Sequence, residues 1–317
     1  MRAVFLDFGT VSNDDLDTAP LERVVPGLVL HQQTAAEQVA ERIAGFEVVV
    51  ANKAIIGRAA IAAAPNLRLI ALTATGVDNV DLAAARERGI AVCNLRDYCT
   101  QSVVQHVFAL LLALTHRLHD YQSLVRAGGW QKAGQFSTFP FPIRELQGRV
   151  FGVVGYGTLG RAVAGTAAAF GMQVEIANRL GGARLEGRTD LDTLQPQLDV
   201  LSLHCPLTDA TRGLIGAGRL ACMKPDAILI NTARGALVDT AALAEALKKG
   251  RLGGAGIDVL EREPPLPGHP LLDPGIPNLI LTPHIAWAAR EARQRCLDEL
   301  ALNVAAFSEG RQRNRVC

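Results

Sequence analysis

The sequence has no excess of charge of either sign and no basic stripe with interleaved aromatic residues. Its 32 basic and 31 acidic residues leave a formal charge of +1. Proteins that bind nucleic acids usually carry a basic patch on one face or along one helix. We therefore expect neither a nucleic acid nor any other polyanion as a partner.

The sequence also lacks a long apolar run, a secretion signal and a pair of closely spaced cysteines. Its most apolar helical stretch, residues 107–114, is far shorter than the ~20 residues of a membrane span. The first ten residues read as a strand that enters the fold and not as a signal peptide. The 6 cysteines form no C-x-x-C pair, which favours reduced thiols in a cytoplasmic protein. We expect no membrane partner and no metal.

Hydrophobic residues are abundant, at 49% of a chain of 317 residues, a length that is typical of two domains. Short apolar runs alternate with alanine-rich helical stretches, as in parallel α/β sheets. The runs that we predict to be strands are 3–8, 47–51, 68–73, 90–93, 150–154, 173–177, 198–203, 227–230, 254–258 and 279–282. We also predict one long helix at about 101–127, a connecting loop at 128–148 and a closing helix at about 286–309. This pattern predicts two parallel-sheet units in series, with the cleft between them as the expected place for chemistry.

One stretch points to a nucleotide. Residues 150–165 read VFGVVGYGTLGRAVAG, in which Gly155, Gly157 and Gly160 follow an apolar strand and open a helix. This context gives the G-x-G-x-x-G pattern its meaning, because the glycines allow a tight turn, close approach of the pyrophosphate and close helix packing. The N–H groups at the start of the helix then face the phosphates. A plain strand–turn–helix is the alternative, and the full order of strand, glycines, helix and strand favours a dinucleotide.

The end of the next strand distinguishes NAD from NADP. A carboxylate at this place binds the adenosine ribose, but the sequence has Asn178 and Arg179 there. An amide removes charge repulsion, and an arginine offers a forked donor to a 2′-phosphate. Although Arg179 could instead be a solvated loop residue, the sequence favours NADP over NAD.

Three further stretches carry charged or titratable residues at the predicted carboxyl ends of strands, where open α/β sheets bind ligands. INTARGALVD contains Arg234, GAGIDVLEREPPLPGHPLL contains Asp258 and Glu263, and NLILTPHIAW contains His284. Each residue alone could be structural, as a surface charge, a loop acid or a helix cap. Near a bound dinucleotide they supply what hydride transfer needs, namely a cation for a carboxylate, a proton donor and an acid that orients it.

These stretches resemble the D-isomer-specific 2-hydroxyacid dehydrogenase family. The motifs VVGYGTLGR, NTARGALVD, AGIDVLEREP and TPHIAW are together specific to it, and the similarity runs from residue 71 to the last helix. PIREL and HIAW resemble the subset of glycerate dehydrogenases, which reduce hydroxypyruvate or glyoxylate. The resemblance implies a Rossmann cofactor domain, 99–286, inserted in a flavodoxin-like substrate domain, 1–98 plus 287–317. It also implies a homodimer formed through the cofactor domain.

The resemblance implies roles for individual residues. Arg234 would bind the substrate carboxylate and polarise the carbonyl, and His284 would donate a proton to the carbonyl oxygen. Glu263 would hold the imidazole and stabilise its protonated form, and Asp258 would accept a hydrogen bond from the nicotinamide carboxamide. The residues expected near the substrate are Asn52, Lys53, Thr75, Gly76 and Val77, with Arg234 and His284. Besides the glycines and the residues above, the cofactor would contact Thr100, Thr158, Leu159, Cys205, Pro206, Thr211, Thr232 and Ala233.

The sequence departs from the family pattern on the long helix and leaves other functions open. Val104 and Gln105 replace the alanine and glutamate of many members, and we expect an interface or core position for His106. A regulator that senses dinucleotides without catalysis is one alternative, which the set of Arg234, Glu263 and His284 disfavours. A formate dehydrogenase is another, but formate enzymes have glutamine at the position of Glu263. A phosphite dehydrogenase keeps all three residues, so only an assay excludes it.

Overall fold

All strands lie parallel to their neighbours in two separate sheets. The structure is a computed structural model that describes every residue, Met1–Cys317. The chain divides into a first unit, Met1–Cys99 with Trp287–Cys317, and a second unit, Thr100–Ala286. None of the helices combines the length and the apolar character needed to cross a membrane.

The first unit contains a five-stranded sheet in the order β2-β1-β3-β4-β5. Its strands are β1 Ala3–Phe5, β2 Val29–Leu30, β3 Val48–Ala51, β4 Leu69–Leu72 and β5 Ala91–Cys93. Its helices are α1 Ala19–Val24, α2 Val39–Ile43, α3 Arg58–Ala62, α4 Leu82–Glu87 and α12 Arg290–Ser308. This is the doubly wound order of flavodoxin-like sheets. The core consists of the apolar side chains of β1, β3, β4 and β5 and of the helices that cover them.

The second unit contains a six-stranded sheet in the order β11-β10-β9-β8-β6-β7. Its strands are β6 Val150–Val154, β7 Gln173–Ile176, β8 Val200–Leu203, β9 Ile228–Asn231, β10 Gly254–Ile257 and β11 Leu279–Leu281. Its helices are α5 Thr100–Thr115, α6 Leu118–Arg126, α7 Gly129–Ala133, α8 Thr158–Ala169, α9 Leu191–Leu194, α10 Ala217–Cys222 and α11 Thr240–Lys248. The strand order reverses beside β6, which places the glycine loop at the switch point where such sheets bind ligands. The predicted fold class is confirmed.

Three elements differ from the sequence prediction. The long helix predicted at about 101–127 is two helices, because Arg117 adopts a left-handed backbone with φ of 52° between α5 and α6. The predicted loop at 128–148 contains the short helix α7. Strand β2 was missed because it has two residues, and both are exposed. Residues 128–148 have no helical period in the sequence that would indicate α7.

Candidate active site

The glycine loop between β6 and α8 has the geometry that a dinucleotide requires. Gly155 has φ of 94°, and a Cβ there would lie 2.5 Å from the amide nitrogen of Cys205. A Cβ on Gly160 would lie 1.9 Å from the carbonyl oxygen of Gly155, so both positions require glycine. At Gly157 a Cβ would meet nothing within 4 Å. The loop therefore leaves open space beside the amino end of a 12-residue helix, whose first N–H groups can bind phosphate.

Two buried hydroxyl groups in the second unit support the same fit. The Oγ1 atoms of Thr100 and Thr232 are buried and have no hydrogen-bond partner. Buried polar atoms are almost always paired in native structures, so an unpaired one points to a missing ligand or water. Both threonines were predicted from the sequence to line the cofactor. The residues present thus fit a dinucleotide.

Three further predicted cofactor residues, Cys205, Pro206 and Thr211, are part of the loop after β8. Cys205 is buried, and burial raises the pKa of its thiol to about 11, so it is not a nucleophile at neutral pH. Thr211 donates its hydroxyl to the carbonyl oxygen of Pro206 at 2.8 Å and accepts from the amide of Thr208 at 2.7 Å. These bonds fix the loop in a tight turn beside the glycine loop.

The segment after β7 uses Asn178 differently from the sequence prediction. Its Nδ2 donates to Asp190 Oδ1 at 2.9 Å, and its Oδ1 accepts from the amide of Leu185 at 3.2 Å. Asn178 is 9% exposed and closes the loop 179–189, whereas Arg179 is exposed. Asp190 also forms an ion pair with Arg184. An acidic residue therefore lies next to Asn178, although the sequence shows none at the expected place.

Arg234 follows β9 in a segment that a fully buried amide organises. Asn231 is 0% exposed. Its Nδ2 donates to the carbonyl oxygen of Arg234 at 2.9 Å, and its Oδ1 accepts from the amide of Ala233 at 3.0 Å. Next in the chain, a Cβ on Gly235 would lie 1.9 Å from the carbonyl carbon of Leu260. Sequence reasoning missed Asn231, whose role depends on contacts with residues that follow it by two and three positions.

His284 and Glu263 form the titratable pair of the site. The Nδ1 atom of His284 lies 2.5 Å from Glu263 Oε2, and Glu263 Oε1 accepts from the amide of Leu260 at 2.9 Å. The imidazole and the carboxylate are 24% and 33% exposed. A carboxylate at this distance accepts a hydrogen bond from Nδ1 and fixes the orientation of the ring. The structure thus brings together two of the three residues predicted to be catalytic.

Asp258 lies at the end of β10 and is 1% exposed. Its Oδ1 accepts from the Thr282 hydroxyl at 2.5 Å and from the amide of Ile285 at 2.9 Å. Its Oδ2 accepts from the amide of Ala286 at 2.8 Å. The carboxylate therefore binds the segment that carries His284, a use that the sequence did not predict.

The predicted substrate residues of the first unit follow β3 and β4. Asn52 is buried, and Lys53 is exposed beside it. The carboxylate of Asp7, itself buried, accepts from the amides of Asn52 at 2.9 Å, Lys53 at 2.6 Å and Ala54 at 2.8 Å. Three consecutive N–H groups on one carboxylate fix the backbone of this loop. Sequence reasoning missed Asp7, although a lone acid inside the apolar run AVFLDFG was a visible signal.

Thr75, Gly76 and Val77 form the turn after β4. The carbonyl oxygen of Thr75 accepts from Asn94 Nδ2 at 2.7 Å, and that of Val77 accepts from the amide of Val80 at 3.1 Å. Because both carbonyl groups are bound within the unit, the turn has a defined backbone. Such a turn can present N–H groups to an anion.

Comparison with known proteins agrees with this geometry. Residues 108–286 match the model of the D-isomer specific 2-hydroxyacid dehydrogenase, NAD binding domain. The chain is 46% identical over 280 residues to the glycerate dehydrogenase of Methylorubrum extorquens, covering 88% of each chain. It is 36% identical over 316 residues to the hydroxypyruvate reductase of Blautia hydrogenotrophica, covering 98% of each.

Solved structures give the same result for the whole chain. An acyclic imino acid reductase in complex with NADPH and D-Arg has a TM-score of 0.87 at 28% identity and full coverage of both chains. The D-lactate dehydrogenase from Aquifex aeolicus, complexed with NAD and lactic acid, has a TM-score of 0.84 at 28% identity, with 98% and 96% coverage. The chain therefore belongs to the D-isomer-specific 2-hydroxyacid dehydrogenase family and is an oxidoreductase that uses a nicotinamide dinucleotide.

Proposed function

We propose that this enzyme reduces hydroxypyruvate and glyoxylate to D-glycerate and glycolate. The observation that carries the proposal is the contact of 2.5 Å between His284 Nδ1 and Glu263 Oε2 at the carboxyl edge of the sheet that carries the glycine loop. Two of the relatives are named glycerate dehydrogenase and hydroxypyruvate reductase, and these names describe one reaction in its two directions. We extend that substrate class to this chain.

Each residue of the site has a separate role in the proposed reduction. When bound, the nicotinamide supplies the hydride that forms the new C–H bond at the keto carbon. Arg234 binds the substrate carboxylate through its planar guanidinium and polarises the carbonyl. As the carbonyl electron pair moves to oxygen, His284 transfers the proton of Nε2 to that oxygen, while Glu263 stabilises the imidazolium through Nδ1. We propose that the backbone N–H groups of Gly76 and Val77 also bind the carboxylate, with Asn52, Lys53 and Thr75 near the substrate.

A steady-state panel tests the proposed substrate. Hydroxypyruvate, glyoxylate, pyruvate and phenylpyruvate are compared as oxidants of NADPH and NADH, with formate and phosphite as donors in the reverse direction. We expect the highest kcat/KM with hydroxypyruvate or glyoxylate. Turnover of formate or phosphite alone, or dinucleotide binding without any turnover, would contradict the proposal.

We propose NADPH as the preferred reductant, supported by the charges after β7. The segment 179–190 has three arginines, Arg179, Arg184 and Arg188, against two acids, Glu186 and Asp190, and Asp190 is already paired with Arg184. The Arg188 guanidinium lies 5.6 Å from the ring centroid of Tyr156 within the glycine loop. The surplus of positive charge beside this loop suits a 2′-phosphate.

We propose a homodimer formed through the second unit. Apolar side chains on α6, on α7 and in the segment that follows are exposed; they are Leu118, Val125, Trp130, Phe136, Phe139 and Ile143. Phe136 and Phe139 are 95% and 81% exposed, and a contiguous apolar patch of this kind marks a protein interface. A second copy covers the patch isologously, and a monomeric mass by light scattering would contradict this.

The contact between Glu263 and His284 leads to a prediction for the carboxylate. Glu263→Gln replaces the carboxylate 2.5 Å from Nδ1 by an amide, so the ring loses the charge-assisted bond that orients it. We expect kcat for hydroxypyruvate reduction to fall about tenfold to a hundredfold, since small displacements of a reacting group have effects of this size. Glu261→Gln, which alters the nearby contact of 3.1 Å between Glu261 and His269, serves as the matched control. Parental kcat in Glu263→Gln would separate Glu263 from the proton transfer.

A further inference from the structure

Asp258 binds residues on both sides of His284. Its own carbonyl oxygen accepts from the amide of His284 at 2.8 Å. Its carboxylate accepts from the amides of Ile285 and Ala286, which follow His284, and from the hydroxyl of Thr282, which precedes it. The segment of His284 is thus held at four points by one buried residue.

The backbone conformation of His284 explains why its segment needs these hydrogen bonds. His284 adopts a left-handed backbone with φ of 56°, which is unfavourable for a residue with a Cβ. Such a conformation persists only where surrounding contacts impose it. Without the bonds to Asp258, the segment would relax toward an ordinary backbone conformation and carry the imidazole away from its present place.

Helix α5 adds a side chain to this cluster. Helix α5 packs against β9 and β10. From α5, His106 places Nε2 3.0 Å from Thr282 Oγ1 and 3.5 Å from Asp258 Oδ1. Thr282 has one hydroxyl proton, which it donates to Asp258 at 2.5 Å. His106 must therefore donate from Nε2 to Thr282, which makes its neutral form the Nε2–H tautomer.

We propose that His106 and Thr282 are positioning residues, which act through Asp258 to hold the backbone of His284 in its left-handed conformation. His106 donates from Nε2 to the oxygen of the Thr282 hydroxyl. The hydroxyl proton of Thr282 then points to Asp258. This inference rests on the proposed function, in which His284 is the proton donor. The sequence predicts only an interface or core position for His106, whereas this inference gives His106 a role in the reaction.

The experiment compares substitutions that keep or remove one hydrogen bond. His106→Leu and Thr282→Val remove the donor and the hydroxyl at nearly constant volume, while His106→Gln and Thr282→Ser retain them. Gln105→Leu changes the neighbouring exposed residue of α5 and is the matched control. Each variant is assayed for kcat and KM with hydroxypyruvate, for NADPH affinity by fluorescence and for melting temperature.

We expect His106→Leu and Thr282→Val each to lower kcat by about tenfold to a hundredfold, since small displacements of a reacting group have effects of this size. KM will change less, because Arg234 and not His284 binds the substrate carboxylate in the ground state. His106→Gln and Thr282→Ser will stay within about threefold of the parent. The kcat of the double variant His106→Leu/Thr282→Val will be no lower than that of the slower single variant, because both changes break one shared chain of hydrogen bonds.

Three results would overturn the inference. The first is parental kcat in both His106→Leu and Thr282→Val. The second is a loss that appears in NADPH affinity and not in kcat, which would make the cluster part of cofactor binding. The third is a failure of Gln and Ser to rescue, together with lower melting temperatures, which would make it structural. His284→Ala is assayed in parallel, and parental turnover in this variant would refute the proposed function. Loss of turnover in His284→Ala together with parental kcat in both His106→Leu and Thr282→Val would refute only this inference.

Discussion

Replacing His284 by alanine is expected to lower kcat for hydroxypyruvate reduction by ~10²–10⁴-fold, the usual contribution of a positioned general acid. The imidazole lies 2.5 Å from Glu263, whereas the other histidine beside this end of β11, His106, contacts Thr282. Arg234 and the glycine loop are unchanged in this variant. KM for hydroxypyruvate and the affinity for NADPH will therefore stay close to parental values.

The matched control is His269→Ala. His269 also pairs with a glutamate, with Nε2 3.1 Å from Glu261 Oε1, so this variant removes a histidine–carboxylate contact outside the proposed reaction. We expect its kcat to stay within about threefold of the parent, as for a residue that does not touch the reacting atoms. Similar losses in the two variants would show that the effect is structural. Added imidazole is expected to restore part of the activity only in His284→Ala.

Features that depend on neighbours in the sequence were predictable. The glycine loop and the sheets were expected because apolar runs, turn glycines and helical stretches have local signatures. The family match confirms that the motifs around Arg234, Glu263 and His284 were read correctly as those of a 2-hydroxyacid dehydrogenase. These residues could be named because each follows a strand, and carboxyl ends of parallel strands share one edge of a sheet.

Features that depend on distant contacts were not predictable. His106 and Thr282 are 176 positions apart, and Asp7 binds amides 45 to 47 positions away. Nothing in the local sequence of His106 distinguishes a positioning histidine from one in a core. Asn178 shows the converse case, because the sequence placed it at the right point of the fold but could not show that Asp190 and Leu185 occupy its amide.

The preference for NADPH over NADH is expected to be about tenfold to a hundredfold in kcat/KM. An exposed ion pair contributes roughly 0.2–1 kcal/mol, whereas a charge-assisted bond to phosphate contributes roughly 1.5–3 kcal/mol. Each 1.4 kcal/mol corresponds to about tenfold. Arg179 directly follows the position at which related folds bind the ribose. Both cofactors are compared at saturating glyoxylate and fixed ionic strength, because salt weakens contacts between exposed charges.

The structure determines which substitutions test this preference. Asn178→Asp, the exchange that the sequence alone suggests, would place a second carboxylate 2.9 Å from Asp190 and disturb the loop by repulsion. Asn178→Asp is therefore combined with Asp190→Asn, which keeps the bond between the two side chains, and with Arg179→Ala. We expect this triple variant to favour NADH, and Arg179→Ala alone to lower kcat/KM for NADPH about tenfold with little change for NADH. Arg251→Ala, an exposed arginine after α11, controls for the loss of one positive charge. A parent that favours NADH, or equal ratios in Arg179→Ala and Arg251→Ala, would show that Arg179 does not recognise the phosphate.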